Sequence, residues 1–320
     1  MIPEPYGLGF WPTPLHRLLR LEAEFPGVKL YIKRDDQSGL ATGGNKTRKL
    51  EYLLGDALAR GADTVITGGA QQSNHCRQTG AACAQAGLAC HLALGGASPE
   101  TMRGNLLLSH LLGAQLHFCG AHRKGEAIPD IIARLEQEGR KVYPIPYGGS
   151  NAFGALGFVN AYEEFAAQCH AQNIAPDYLF FASSSGGTQA GLSLGKAMTP
   201  EPQPILMPVS IDKEESADGH FSQKVAVLCR EAASLLGWEG EVAAHETTLI
   251  EGYDRAGYGQ TTEAEWQSIR LLARTEGVLL DPVYSGRAFH AMGDMLHRQL
   301  IRPGKTVVFW HTGGIPALFC

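Results

Sequence analysis

The sequence predicts an α/β fold of two domains, each an open twisted sheet flanked by helices. Short apolar runs alternate with segments of helical periodicity along most of the chain, the pattern of parallel sheets covered on both faces. The 320 residues include 39 glycines but no low-complexity repeat, as many tight strand-to-helix turns would require. That length suffices for one large domain or two ordinary ones. Hydrophobic residues make up 44% and charged residues 18%, as in soluble globular proteins.

Residues 29–33 read as a strand, followed by a glycine-rich turn and a helix over 46–60. Leu50, Leu53, Leu54, Ala57 and Leu58 form one apolar stripe on that helix, with Asn45 offered as its N-cap. Strands are expected at 64–67, 88–94, 115–119 and 142–145, with helices at 73–86, 99–112 and 127–138 between them. A long helix over 152–170, interrupted by glycines, leads to a strand at 178–182 and a helix at 189–197. A strand at 205–211, a helix at 221–236 and a strand at 247–250 follow. Thr262-x-x-Glu265 is a capping box, opening a helix that ends before Gly277. A helix at 286–300 and a strand at 306–310 complete the series. No proline- or charge-rich linker separates the halves, so the two sheets are expected to share a tight cleft. Ligands of open α/β sheets bind beyond the carboxyl ends of the strands.

Bulk properties exclude several classes. A formal charge of -5 argues against a nucleic-acid surface. Seven scattered cysteines, with no CxxC pair and no metal-ligand spacing, fit reduced thiols in a cytoplasmic protein and no metal site. The N-terminus lacks a basic region followed by an apolar stretch, so no signal peptide is expected, and no apolar run is long enough to span a bilayer. Neither a Ser–His–Asp nor a His-Glu-x-x-His arrangement emerges.

Three motifs remain. In Gly43-Gly44-Asn45-Lys46-Thr47-Arg48-Lys49-Leu50-Glu51, Lys46 falls in the first turn of a helix, where the backbone dipole disfavours a positive charge. A solvated surface lysine is the plain alternative; an amine working neutral or as an imine, beside a bound anion, is the functional one. Ser183-Ser184-Ser185-Gly186-Gly187-Thr188 lies between a strand and a helix, where free backbone N–H groups, hydroxyls and the helix start would cradle a phosphate. It matches neither the Walker pattern nor Gly-x-Gly-x-x-Gly, which weighs against a nucleotide triphosphate or a nicotinamide dinucleotide. Gln71-Gln72-Ser73-Asn74-His75 precedes another helix and could hold a carboxylate, although Ser73 or Asn74 could simply be caps. Tyr258 and Tyr284 sit in glycine-flanked turns, where packing is the default role. Thr312 sits in the His311-Thr312-Gly313-Gly314 turn after the last strand.

A reactive lysine, a phosphate cradle and a carboxylate site occur together in pyridoxal 5'-phosphate chemistry, with the cofactor bound to lysine as a Schiff base. With these motifs the chain resembles the fold type II pyridoxal-phosphate enzymes, which are tryptophan synthase β-like, and within them the D-cysteine desulfhydrase and ACC (1-aminocyclopropane-1-carboxylate) deaminase family. The resemblance runs from Thr13-Pro14-Leu15 to the final His311-Thr312-Gly313-Gly314-Ile315-Pro316 segment. It implies a large cofactor-binding domain of residues 1–47 plus 157–320 and a small domain of residues 48–156. It implies Lys46 as the cofactor lysine and proton carrier, and Lys49 with Ser185, Gly186, Gly187 and Thr188 around the phosphate. Asn74 would bond the phenolic oxygen, and Ser73, with Gln72, Asn74 and His75, the substrate carboxylate. Tyr258 and Tyr284 match the family's active-site tyrosines, and Ser285 and Thr312 occupy the positions facing the pyridine nitrogen. Where the family has proline before Gly257, this chain has Ala256.

Hydroxyls at 285 and 312, in place of the deaminases' glutamate and leucine, leave the ring nitrogen neutral and the ring a weaker electron sink. β-Elimination tolerates this because the departing thiolate takes the electrons. The resemblance therefore implies α,β-elimination of D-cysteine to pyruvate, ammonia and hydrogen sulfide, by a homodimer acting on a small amino acid. L-Cysteate sulfo-lyase and ACC deaminase are the rival readings. A non-catalytic pyridoxal-phosphate carrier is the rival from another class.

Overall fold

The structure, a computed structural model, describes residues 2–212 and 220–320. Among these residues nine strands form two sheets: β1 (Leu15–Arg17), β2 (Lys29–Arg34), β7 (Tyr178–Ser183), β8 (Ile205–Ser210) and β9 (Thr306–His311) in one, and β3 (Thr64–Gly69), β4 (Ala89–Leu94), β5 (Gln115–Phe118) and β6 (Val142–Pro144) in the other. The strand orders are β1-β2-β9-β7-β8 and β5-β4-β3-β6. All pairings are parallel except β1 with β2. The α-helices among the described residues are α1 (Lys46–Ala59), α2 (Asn74–Ala86), α3 (Gly104–Leu111), α4 (Ile128–Gln137), α5 (Ala152–Gln172), α6 (Gly187–Met198), α7 (Phe221–Leu236), α8 (Glu263–Glu276) and α9 (Ser285–His297).

The central strands read Tyr-Leu-Phe-Phe-Ala-Ser and Thr-Val-Val-Phe-Trp-His and are buried on both faces, as parallel strands between helical layers must be. Phe180, Val307 and Phe309 pack with α8 and α9 on one face, while Phe181, Val308 and Trp310 pack with Phe158, Tyr162 and Phe165 of α5 on the other. In the four-stranded sheet, Val65 and Leu92 pack on α1 and α2, and Ile66 and Ala93 on α4.

Most elements lie within two or three residues of the sequence expectation, and the exceptions have local causes. The short antiparallel strand β1 has no apolar alternation long enough to read. The segment expected as a strand at 247–250 is a 3₁₀ turn over Ala244–Thr247, with a single bridge from Ile250 to Val209. The helix expected from residue 99 begins at Gly104, because the Gln72 side chain bonds Arg103 O (3.2 Å) and Asn105 N (2.8 Å) and holds the preceding chain extended. Asn45, expected as a cap, makes no capping bond; its amide donates to Thr188 Oγ1 at 3.2 Å. The capping box at Thr262 and Glu265 forms as expected.

Candidate active site

The turns that follow β3, β7 and β9 open onto one cleft, together with the start of α1. Its lining includes Asn45, Lys46, Ser73, Asn74, His75, Tyr147, Gly148, the 182–186 turn, Thr188, Tyr284 and Thr312. No carboxylate stands among these described residues. Lys46 and the starts of α2 and α6 therefore face a space without a counter-anion of its own, which suits an anionic ligand.

Lys46 is placed by the turn before it. Gly43 and Gly44 have φ of 70° and 127°, a region closed to most side chains, and a Cβ on Gly43 would lie 1.9 Å from Asp36 O. Lys46 itself is half-buried, and its Nζ has no hydrogen-bond or ion-pair partner among the described residues. Burial alone lowers its pKa to about 8, since nothing nearby stabilises the ammonium form. The rest of the first turn is anchored by Arg48, which donates to Asp35 at 2.8 and 2.9 Å and to Glu164 at 2.9 and 3.0 Å. Lys33 joins the same buried cluster through Glu164.

One helical turn on, Lys49 is fully buried. Its Nζ donates to Gly148 O (3.1 Å) and Ser150 Oγ (3.2 Å), and burial, aided by Lys46 and Lys224, holds its pKa well below that of a free lysine. Beside it α6 begins at Gly187 with no cap from its N-cap residue; the Gly187 N–H donates to Ser150 Oγ at 3.2 Å, and those of Thr188 and Gln189 are available to a ligand. A Cβ at Gly187 would come within 2.7 Å of Ser150 Oγ and 2.8 Å of Lys49 Nζ. The 185–188 turn, Lys49 and Ser150 thus bring hydroxyls, free backbone N–H groups and a lysine amine to one spot, the donor set a phosphate requires. Ser150 and Gly148 were missed from sequence, although the Gly148-Gly149-Ser150 run carried the same small-residue signal as the 185–188 turn.

Across the cleft, Ser73 caps α2 by accepting from Cys76 N at 3.2 Å, and Asn74 follows at the helix start. His75 is buried and its ring bonds Thr67 Oγ1 at 2.9 Å, with Nδ1 left unpartnered. Burial and the nearby Lys46 and Lys49 depress its pKa well below the usual histidine value. Gln72 does not line the cleft; its amide is occupied by Arg103 O and Asn105 N.

Tyr284 faces the cleft, and its hydroxyl meets that of Tyr258. The rings stand edge to face, with centroids 5.9 Å apart. Burial raises both phenols, Tyr258 to about 12. Tyr284 is held by Asp281, whose carboxylate accepts from the backbone N–H of Val283 (2.9 Å), Tyr284 (2.8 Å) and Ser285 (2.7 Å). The Ser285 hydroxyl also donates to Asp281, at 2.5 Å, and Ser285 is fully buried. Of the two hydroxyls expected at the ring nitrogen, Thr312 lines the cleft and Ser285 does not.

A family model described as pyridoxal-phosphate dependent enzyme matches residues 7–313. D-Cysteine desulfhydrase of Yersinia enterocolitica is 43% identical over 314 residues, covering 96% of this chain and 92% of the relative. The Klebsiella pneumoniae protein of the same name is 40% identical over 314 residues, covering 96% and 93%. A solved structure described as an ACC deaminase homologue superposes with a TM-score of 0.89 at 39% identity, covering 99% of this chain and 94% of that one. The chain therefore belongs to the pyridoxal-phosphate-dependent enzymes.

Proposed function

We infer that this protein is a pyridoxal 5'-phosphate-dependent carbon–sulfur lyase that eliminates sulfide from D-cysteine, the substrate named for relatives 40–43% identical over 96% of the chain. The observation that carries the reading is Lys46, an unpaired, half-buried amine facing the same cleft as the 185–188 turn and Tyr284. When bound, the cofactor supplies an aldehyde for the substrate amine and a conjugated ring that holds the electron pair left by the α-proton.

The chain's own groups divide the remaining work. Lys49, Ser150 and the start of α6 would hold the phosphate, the Asn74 side chain would bond the phenolic oxygen, and Ser73 with the backbone at the start of α2 would hold the substrate carboxylate. With a pKa near 8, Lys46 can both take and return a proton close to neutral pH, where general acid–base groups work best. Both phenols of the tyrosine pair stay protonated at that pH. Two hydroxyl protons serve one mutual bond, so if Tyr258 donates to Tyr284, the proton of Tyr284 is free for a departing thiolate. Thr312 and Ser285 would offer hydroxyls and no carboxylate toward the ring nitrogen, and a carboxylate is what keeps that nitrogen protonated. That favours elimination over the ring opening an ACC deaminase performs.

We further propose a cytoplasmic homodimer. Seven free cysteines suit a reducing compartment, and the family resemblance supports the dimer, which light scattering of the purified protein would test.

The central test is Lys46→Ala. Activity on D-cysteine, read as sulfide and pyruvate, is expected to fall by at least about 10²–10⁴-fold, with loss of the borohydride-reducible yellow band. Retention of that band in the variant, or no sulfide from D-cysteine with the wild type, would sink the assignment.

A further inference from the structure

Asn105, the second residue of α3, is fully buried and has no place in the motifs read from sequence. Its Nδ2 donates to the backbone carbonyl of Gln72 at 2.9 Å and to Asn74 Oδ1, also at 2.9 Å. A carbonyl can only accept, so the first bond fixes which end of the Asn105 amide points toward Gln72 and Asn74. The second bond then fixes Asn74: its Oδ1 faces Asn105, and its Nδ2 faces the other way. That Nδ2 sits against the turn after β9, 2.9 Å from where a Cβ on Gly314 would stand, and Asn74 lines the cleft with Lys46 and Thr312. The Asn105 Oδ1 is left buried without a partner, as expected if the two donor contacts alone dictate the amide's orientation. Asn105 is itself held at its backbone N–H by Gln72 Oε1 at 2.8 Å.

We propose that Asn105 is a positioning residue that sets the polarity of Asn74, so that an N–H donor and not a carbonyl oxygen is presented to the cofactor's phenolic oxygen. The proposal rests on the reading of the site given above. It also gives Gln72 a role: its amide holds the start of α3, and through it Asn105, and need not touch the substrate.

Asn105→Asp tests the polarity with little change of shape. A carboxylate at 105 can only accept, so it would draw the Asn74 amide around and turn Oδ1 toward the cofactor. Asn105→Ala merely removes the restraint. With purified holoenzyme, the readouts are the share of cofactor absorbance in the visible band at fixed pH and the cofactor dissociation constant from fluorescence titration. Asn105→Asp is expected to lower the visible share and to weaken binding about tenfold, as for one lost charge-assisted hydrogen bond, with Asn105→Ala falling between it and the wild type. In an Asn74→Ala background the substitution at 105 is expected to have no further spectral effect. A wild-type spectrum in Asn105→Asp, or the same shift with and without Asn74, would overturn the proposal. If Asn105→Asp fails to fold, Asn105→Ala with and without Asn74→Ala supplies the same comparison. A wild type lacking the yellow band would overturn the reading of the site itself.

Discussion

The Thr67 hydroxyl donates to Ile145 O at 2.9 Å, and so it can only accept from the His75 ring at 2.9 Å. This puts a proton on Nε2, and Nδ1 is left buried without a partner, near two lysines. Protonation at Nδ1 is opposed both by burial and by those cations, the causes of its depressed pKa. In the unfolded chain the same side chain takes up a proton as pH falls through about 6.5. Below that value the unfolded state binds more protons, so the stability His75 contributes is full above about 6.5 and is lost as pH falls. The slope for one such group approaches about 1.4 kcal/mol per pH unit. His91 and His117 are depressed in the same direction, so the wild type should lose more than one proton's worth. Urea unfolding between pH 7 and 5 is expected to show a pH slope smaller by about one proton in His75→Gln; equal slopes in the two proteins would exclude this account. At this scale the sequence was legible only where function is local. Lys46, Lys49 and the 185–188 turn announce themselves through neighbours a few residues away. Asn105, Asp281 and Glu164 do not. Glu164 meets Arg48 across 116 residues and Asn105 meets Asn74 across 31, and no periodicity links them.

Between elements, glycines decide how closely helices approach: Gly191 and Gly195 of α6 lie against α5, and Gly157 of α5 lies against α1, the helix that carries Lys46. The reading of 152–170 as a helix interrupted by glycines was correct in its helix and blind to the purpose of the interruptions. A Cβ at Gly157 would lie 2.1 Å from Arg48 O and 3.0 Å from Lys49 N, so α5 touches the backbone of the first turn of α1. Backbone cannot rotate aside as a side chain can. Gly157→Ala should gain up to about 1 kcal/mol in helix propensity. It should lose about 1–3 kcal/mol to overpacking, with α1 and both of its lysines displaced. The expected net effect in urea unfolding is destabilisation together with weaker cofactor binding. Gly293, in α9, is the control, because a Cβ there would meet only Phe25 at 3.8 Å. Gly293→Ala should be neutral or stabilising by up to about 1 kcal/mol. The same sign in both variants would show that close approach at Gly157 is not what matters. Strands buried on both faces, such as β7 and β9, were easy to read because their apolar runs are continuous. β1 was not, since three residues at a sheet edge carry too little pattern.

Across the whole molecule, strand–helix alternation revealed two sheets and a shared cleft. The order in which the last strand slots between β2 and β7 was beyond it, because neighbours in a sheet are chosen by packing and not by chain proximity. What bridges the sheets was equally hidden. Arg123, in the turn after β5 of the four-stranded sheet, reaches Asp212 just beyond β8 of the other sheet at 3.1 Å. Its guanidinium also lies 4.8 Å from the centroid of the Tyr258 ring, a cation–π contact. Asp212 is 1% exposed and Arg123 22%, so the pair is shielded enough to matter more than a surface bridge, for which about 0–1 kcal/mol is typical. Together with the ring contact it should stabilise the closed cleft by about 2 kcal/mol. Arg123→Met removes the charge and keeps much of the side chain's bulk. It should leave the urea midpoint nearly unchanged, because each sheet keeps its own core. Hydrogen exchange across residues 119–127 should rise, and kcat/KM for D-cysteine should fall by about 30-fold, the equivalent of that 2 kcal/mol. Tyr258 would lose the cation that holds its ring against Tyr284, so the loss should appear in kcat as well as in KM. If exchange in 119–127 is unaltered while activity falls, Arg123 acts on the chemistry alone and does not fasten the two sheets together.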